Sequence, residues 1–112
     1  MRIALPLANG KLAMHFGHCE VFALIDVDDN SKKIMHKEEL VPPAHEPGIL
    51  PRWLAENKAD VIIAGGMGRR AQDLFTSNGI RVCVGAGPED PEKLVAAFLE
   101  GTLSFGENIC DH

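Results

Sequence analysis

The order of apolar segments predicts an α/β fold in which a five-stranded mixed sheet carries helices on both faces. Residues 61–64 form a continuous apolar run without alternation, which is typical of a strand covered on both sides. Three glycines in four positions follow, and a helical pattern begins directly after them. Three strands and a helix precede this unit and a strand and a helix follow it, so the predicted order is βββαβαβα.

The N-terminal part predicts three antiparallel strands. Residues 2–8 read as the first, with a local bulge or interruption expected at Pro6 because proline lacks a ladder donor. After the Asn9-Gly10 turn, residues 11–20 are predicted to be a loop. Residues 21–28 form an apolar second strand, and residues 32–40 alternate enough for a half-exposed third strand at the edge of the sheet.

Proline and glycine mark the ends of the later elements. Pro51 fits the first turn of a helix, and Gly79 and Gly101 stand where two further helices should end. Asp90 is placed to cap the last of these helices. The later elements are predicted at residues 49–57 (helix), 61–64 (strand), 69–77 (helix), 80–84 (strand) and 91–100 (helix).

Length and composition limit the possible classes. The 112 residues fit one domain, predicted at 1–101, followed by a flexible polar tail at 102–112. A net charge of −5 argues against general binding to nucleic acid or to an anionic membrane. No apolar run approaches the roughly 20 residues that span a bilayer. The odd count of three cysteines and the absence of a signal-peptide pattern favour free thiols in the cytoplasm.

The predicted topology gathers reactive side chains at one edge of the sheet. If the first three strands are antiparallel neighbours and the later crossovers are right-handed, four strands run in the same direction. The loops that leave these strands then open on one edge, where α/β proteins commonly bind ligands. Imidazole and thiol groups in the first two of these loops suit late first-row metals and iron–sulfur units.

The C-terminal tail adds a thiol and an imidazole two residues apart. Its roughly 11 residues can stretch about 35 Å, so it can reach the edge, although a frayed terminus would show the same sequence. Cys83 lies inside an apolar strand and is expected in the core. The candidate metal ligands are His15, His18, Cys19, His45, Cys110 and His112.

The glycine turn at the same edge predicts an anion site. Two arginines in the first turn of a helix are disfavoured by the macrodipole by roughly 0.3–1 kcal/mol each, unless a negative group lies nearby. Long side chains that point into water are the alternative explanation. The candidate anion-binding residues are Gly65, Gly66, Met67, Gly68, Arg69 and Arg70.

Other chemistries fit the sequence less well. A dinucleotide fingerprint is formally present from Gly66 to Ala71, but no acidic residue ends the next strand. A two-metal nuclease needs converging carboxylates, and the first strand has none. A thiol enzyme would need Cys19 activated by His15 or His18, together with an orienting carboxylate such as Glu20, and this alternative stays open.

Several short motifs together resemble one known family. They are His15-Phe16-Gly17 followed by Phe22, the Pro51 helix leading to Ala59-Asp60, the Gly65-Gly66-Met67-Gly68 turn, and Gly79-Ile80. This combination resembles the dinitrogenase iron-molybdenum cofactor-binding family of the NifX and NifB C-terminal type. The resemblance covers nearly the whole chain, and Cys110-Asp111-His112 is similar to the Cys-x-His tail of small stand-alone members.

The resemblance implies a ribonuclease H-like fold without nuclease activity. It also implies binding or carriage of an iron–sulfur or iron–molybdenum–sulfur cluster, with His15 and the glycine turn at the site. Cluster-assembly or ATPase proteins are the partners to expect. The leading hypothesis is therefore a cytoplasmic, non-enzymatic cluster carrier; a thiol-dependent enzyme acting through Cys19 on a small anionic substrate, or a simple zinc-binding or regulatory module, is the alternative.

Overall fold

The structure, a computed structural model, describes residues 1–14, 19–43 and 48–101. In this part of the chain, one six-stranded mixed sheet packs with three helices. None of the described helices is long and apolar enough to cross a membrane. The elements are β1 (Arg2–Ala8), β2 (Lys11–Leu12), β3 (Val21–Val27), β4 (Ile34–Leu40), α1 (Ile49–Glu56), β5 (Val61–Ile63), α2 (Arg69–Ser77), β6 (Arg81–Cys83) and α3 (Pro91–Glu100).

The predicted α/β class is confirmed, and strand pairing places β1 at the centre of the sheet. The order is β4-β3-β1-β5-β6, and β2 pairs with β1 outside this path. The β1–β3 and β3–β4 pairs are antiparallel, whereas the β1–β5 and β5–β6 pairs are parallel. Strands β1, β4, β5 and β6 therefore all end on the same side of the sheet, which we call the carboxyl edge.

The prediction of five strands was wrong by one short strand, because residues 11–12 are not loop. Asn9 and Gly10 have φ angles of 55° and 79° and connect β1 directly to β2. Ala8 then pairs with Lys11 and Leu7 with Leu12. A two-residue connection with both φ angles positive is the hairpin turn that Asn-Gly favours, so the signal for β2 was present in the sequence.

The irregularity expected at Pro6 lies elsewhere. Strand β1 runs unbroken, and Pro6 pairs in register with Phe22 of β3. The Pro6 carbonyl accepts the Ala13 N–H at 2.8 Å, so the Pro6 nitrogen also faces the Ala13 side and removes no β1–β3 hydrogen bond. The register shift of this sheet is in the β3–β4 pair, between Asp26 and Val27.

Helices cover both faces of the sheet, and each face has its own apolar cluster. On one face, Leu94 and Val95 of α3 pack with Ile3, Leu5 and Leu7 of β1. This α3-side cluster also contains the buried Cys83, as its apolar surroundings predicted. The opposite cluster, here the α1/α2-side cluster, joins the two other helices to the second face of β1 through Ala4, Phe22, Leu50, Leu54, Phe75 and their neighbours.

An arginine clamp closes the sheet at the edge opposite to the carboxyl edge. The Arg2 guanidinium donates to both carboxylate oxygens of Asp26, at 2.8 and 3.0 Å, and to the Asn57 carbonyl at 2.9 Å. The Arg2 backbone exchanges two hydrogen bonds with Asp60, at 2.8 and 2.9 Å. The clamp therefore fixes β1 to β3 and to the segment that enters β5.

Replacing Asp26 with Asn should reduce the free energy of unfolding by about 1–2 kcal/mol near pH 7. The hydrogen bond from Arg2 lowers the pKa of Asp26, so the carboxylate stabilises the fold above its unfolded pKa of about 3.9. This contribution is lost as the pH falls through the lower folded pKa. Urea unfolding from pH 7 to pH 3 should show the difference shrinking, whereas Asp73→Asn on exposed α2 should change little; a constant Asp26→Asn deficit would contradict the linkage.

Candidate functional site at the carboxyl edge

Backbone hydrogen bonds hold the glycine turn against the turn that follows β6. The Ala64 N–H donates to the Cys83 carbonyl at 2.8 Å, and the Gly65 carbonyl accepts the Gly85 N–H at 2.8 Å. Gly85 has a φ of 91°, a conformation that favours glycine. The glycine turn is therefore a fixed part of the sheet edge, and its residues 65–67 are buried.

Gly65 lies directly against the backbone that leads into the first loop. A Cβ atom at this position would lie 3.0 Å from the carbonyl oxygens of both Ala13 and Met14. Only a residue without a side chain permits this approach. The sequence placed these two segments at one edge but gave no sign of this contact. His15 follows Met14 in the chain, so the structure brings the glycine turn next to the start of the histidine-bearing loop.

Met67 belongs to the core through its side chain. It is 1% exposed and lies in the α1/α2-side cluster, while its carbonyl accepts a hydrogen bond from the Gln72 side chain at 2.9 Å. Only the backbone of Met67 can therefore serve an anion site. The hydrogen bond from Gln72 to Met67 also connects the glycine turn to the beginning of α2.

The start of α2 presents positive charge to solvent. Gly68 is its N-cap and brings no side-chain hydrogen bond, and no acidic residue lies in the first turn. Arg69 and Arg70 lie in this first turn, as the sequence predicted, and both are exposed. Since the macrodipole is positive at this end, helix and side chains add to one local positive potential.

Among the described residues, the surroundings of Cys19 are apolar. Its half-buried side chain packs against the α1/α2-side cluster, and this burial raises the pKa of the thiol. Nucleophilic cysteines need the opposite shift. The carboxylate considered as an orienting group, Glu20, accepts the Asn9 N–H at 2.8 Å and so helps to hold the β1–β2 turn.

Five predicted ligands lie outside the described residues, and their roles remain predictions. Among the residues that the structure does describe, no group of three or more His, Cys, Asp or Glu side chains could hold a metal ion. Cys19 is the one predicted ligand within them. The other five are His15, His18, His45, Cys110 and His112.

Comparison with known proteins decides the family. The sequence model of a family described as "Dinitrogenase iron-molybdenum cofactor" matches residues 1–101. The chain belongs to the dinitrogenase iron-molybdenum cofactor family. This membership confirms the resemblance found in the sequence motifs.

Related proteins and solved structures match this chain over nearly their full lengths. The uncharacterized protein MJ0580 of Methanocaldococcus jannaschii is 32% identical over 108 residues, which are 92% of this chain and 89% of that protein. The crystal structure of PH0822 superposes with a TM-score of 0.84 at 29% identity and covers 94% of both chains. The apo form of the orange protein from Desulfovibrio gigas gives 0.72 at 25% identity, covering 96% of this chain and 93% of its own.

Gly65→Ala should reduce the free energy of unfolding by about 1–3 kcal/mol, because the added methyl group meets two carbonyl oxygens. Gly87→Ala is the matched control, since its Cβ would meet only the Glu89 side chain at 3.8 Å. Chemical denaturation measures both, and amide chemical shifts should show Ala13 and Met14 displaced in Gly65→Ala alone. Equal stability of the two variants would show that the close approach is not a constraint.

Proposed function

We propose that this protein binds an iron–sulfur or molybdenum–iron–sulfur cluster as cargo at the carboxyl edge of its sheet. The observation that carries the proposal is the contact of Gly65 with Ala13 and Met14. Through this contact, the buried glycine turn that precedes α2 lies beside Met14, the residue before His15 in the chain. Membership of the dinitrogenase iron-molybdenum cofactor family supports the same class of cargo.

Charge supports an anionic cargo. The whole chain carries −5, so a free anion is not attracted by the net charge. The start of α2 nevertheless combines the positive end of the helix dipole with Arg69 and Arg70, and its first turn contains no acidic residue. Guanidinium groups and backbone N–H groups can stabilise a sulfide-rich anion through charge-assisted hydrogen bonds.

The proposed ligands are soft donors around this anion site. Imidazole and thiolate groups bind iron and related metals. Cys19, one of these donors, packs against the α1/α2-side cluster. We assign His15 as the main ligand because it follows Met14. His18, Cys19, His45, Cys110 and His112 are candidates for the remaining positions.

The proposed role is carriage or storage, without catalysis by this chain. A role for Cys19 as a ligand and not as a nucleophile agrees with its half-buried position and with the hydrogen bond that Glu20 accepts from Asn9. We also propose a ribonuclease H-like arrangement of the sheet, a cytoplasmic location and exchange of the cluster with assembly or ATPase proteins. The orange protein, described in its apo form, offers a structural neighbour for comparison.

Anaerobic reconstitution tests the proposal. The purified apo-protein is titrated with iron and sulfide and, separately, with tetrathiomolybdate, then desalted and analysed for metal, sulfide and visible absorption. The expected result is a coloured species retained at near-integral stoichiometry. A colourless protein after both treatments, or one that retains only zinc, would overturn the carrier proposal.

Replacing His15 with Ala should reduce cluster retention at least about tenfold while the fold is kept, because one ligand bond is lost. His36→Ala removes an imidazole from exposed β4 and is the matched control. Retention after desalting and far-ultraviolet circular dichroism are the measurements. Equal loading of the two variants would exclude His15 as a ligand.

The double change Arg69→Glu and Arg70→Glu should weaken binding of tetrathiomolybdate much more than binding of Zn²⁺. The reason is that the arginine pair is proposed to neutralise an anion rather than to hold a cation. Arg52→Glu with Lys93→Glu makes the same change in net charge on other exposed helices. Isothermal titration calorimetry measures the affinity of both double variants for tetrathiomolybdate and for Zn²⁺. Equal losses of tetrathiomolybdate affinity in the two double variants would contradict the anion site.

A further inference from the structure

The outer strand β4 has a free edge within the described part of the sheet. Strand order places it at the end, with β3 as its partner on one side. An edge strand presents alternate N–H and carbonyl groups that can pair with another strand. Large exposed apolar side chains lie towards both ends of this strand, namely Ile34 (42% exposed), Met35 (71%) and Val41 (77%).

The sequence of this strand is partly complementary to itself when it is reversed. Residues 34–41 read as two apolar residues, His36 and Lys37, two glutamates, and two apolar residues. An antiparallel second copy whose opposed residues lie on the same face can therefore place Lys37 against Glu39 and Met35 against Val41. Cross-strand pairs of opposite charge stabilise a sheet, and like charges directly opposite destabilise it.

We propose that two copies of this chain associate through antiparallel β4–β4 pairing, which joins their sheets into one. The pairing is centred on Glu38 and places Lys37 opposite Glu39 of the second copy, twice by symmetry. The regular β3–β4 register extends from His36 to Leu40, so Glu38 is the middle residue of the undistorted segment.

Strand geometry limits the alternatives to this register. In an antiparallel pair, directly opposed residues lie on the same face of the sheet. The two-fold axis that relates the copies must therefore pass between two copies of the same residue. Centring on Lys37 would oppose two lysines. Centring on Glu38 opposes two glutamates, but a guanidinium nitrogen of Arg2 lies 3.6 Å from the Glu38 carboxylate and reduces its repulsion.

Lys37 and Glu39 are charged residues of the kind that usually prevents an edge strand from pairing with another chain, but in β4 they can attract a second copy. Lys37 contacts Glu92 of α3 and lies 4.0 Å from Glu39 in its own copy. A lysine on an edge strand normally prevents pairing. In this strand Glu39 follows Lys37 by two residues, so pairing centred on Glu38 brings each Lys37 against the Glu39 of the other copy.

The proposal does not depend on the proposed function. Antiparallel pairing turns the carboxyl edges of the two copies in opposite directions and leaves both open. The dimer should therefore form without metal, and loss of the dimer should leave cluster retention unchanged. Failure of either idea can be recognised separately.

Sedimentation velocity of the full-length, metal-free chain over a wide concentration range tests the pairing. The wild-type protein should show a reversible monomer–dimer equilibrium. Glu39→Lys should weaken it at least about tenfold, because two attractive pairs become repulsive. Glu56→Lys on exposed α1 makes the same charge change and should leave it unaltered.

Mixing two variants separates pairing from a folding defect. Lys37→Glu should also weaken self-association, but Lys37→Glu mixed with Glu39→Lys should form a heterodimer, since every opposed pair at these positions then attracts. Restored association only on mixing would support the proposal. A wild-type protein that stays monomeric throughout, a Glu39→Lys dimer as strong as wild type, or no recovery on mixing would overturn it.

Discussion

Strand β1 lies at the centre of the sheet and positions the other elements around it. This strand pairs on both sides and is covered on both faces, so its two ends fix the two edges of the sheet. At its beginning, Arg2 holds Asp26 and the segment around Asp60. Beyond its end, the chain returns through β2 and brings Ala13 and Met14 against Gly65. The candidate site is thus a consequence of the same strand that organises the core.

Elements with local signals could be predicted from the sequence, and contacts through space could not. Pro51, Gly79 and Gly101 mark helix ends because their backbone preferences act locally. The Asn9-Gly10 hairpin carried an equally local signal, although its second strand is only two residues long. The close approach of Gly65 to Met14 depends on the positions of two strands, and no pattern within either segment encodes it.

Burial changed the interpretation of two site residues. Met67 stands within the glycine motif, but its side chain is needed to fill the α1/α2-side cluster. Cys19 stands beside two histidines, which suggested reactivity, but its apolar surroundings raise the pKa of its thiol. Composition alone does not distinguish a solvated thiol from a half-buried one. The position of the arginine pair in the first turn of a helix was predictable, because the glycines before it and the helical pattern after it are local signals.

In the proposed function, an anionic cluster lies on the glycine turn beside the first loop. A titration of the ¹⁵N-labelled protein with tetrathiomolybdate, followed by amide chemical shifts, tests this position. We expect large, saturable shifts for the amides of Gly65, Gly66 and Gly68, with little change at Arg2 and Asp60 on the opposite edge. Shifts concentrated at the opposite edge, or none at the glycine turn despite binding, would contradict it.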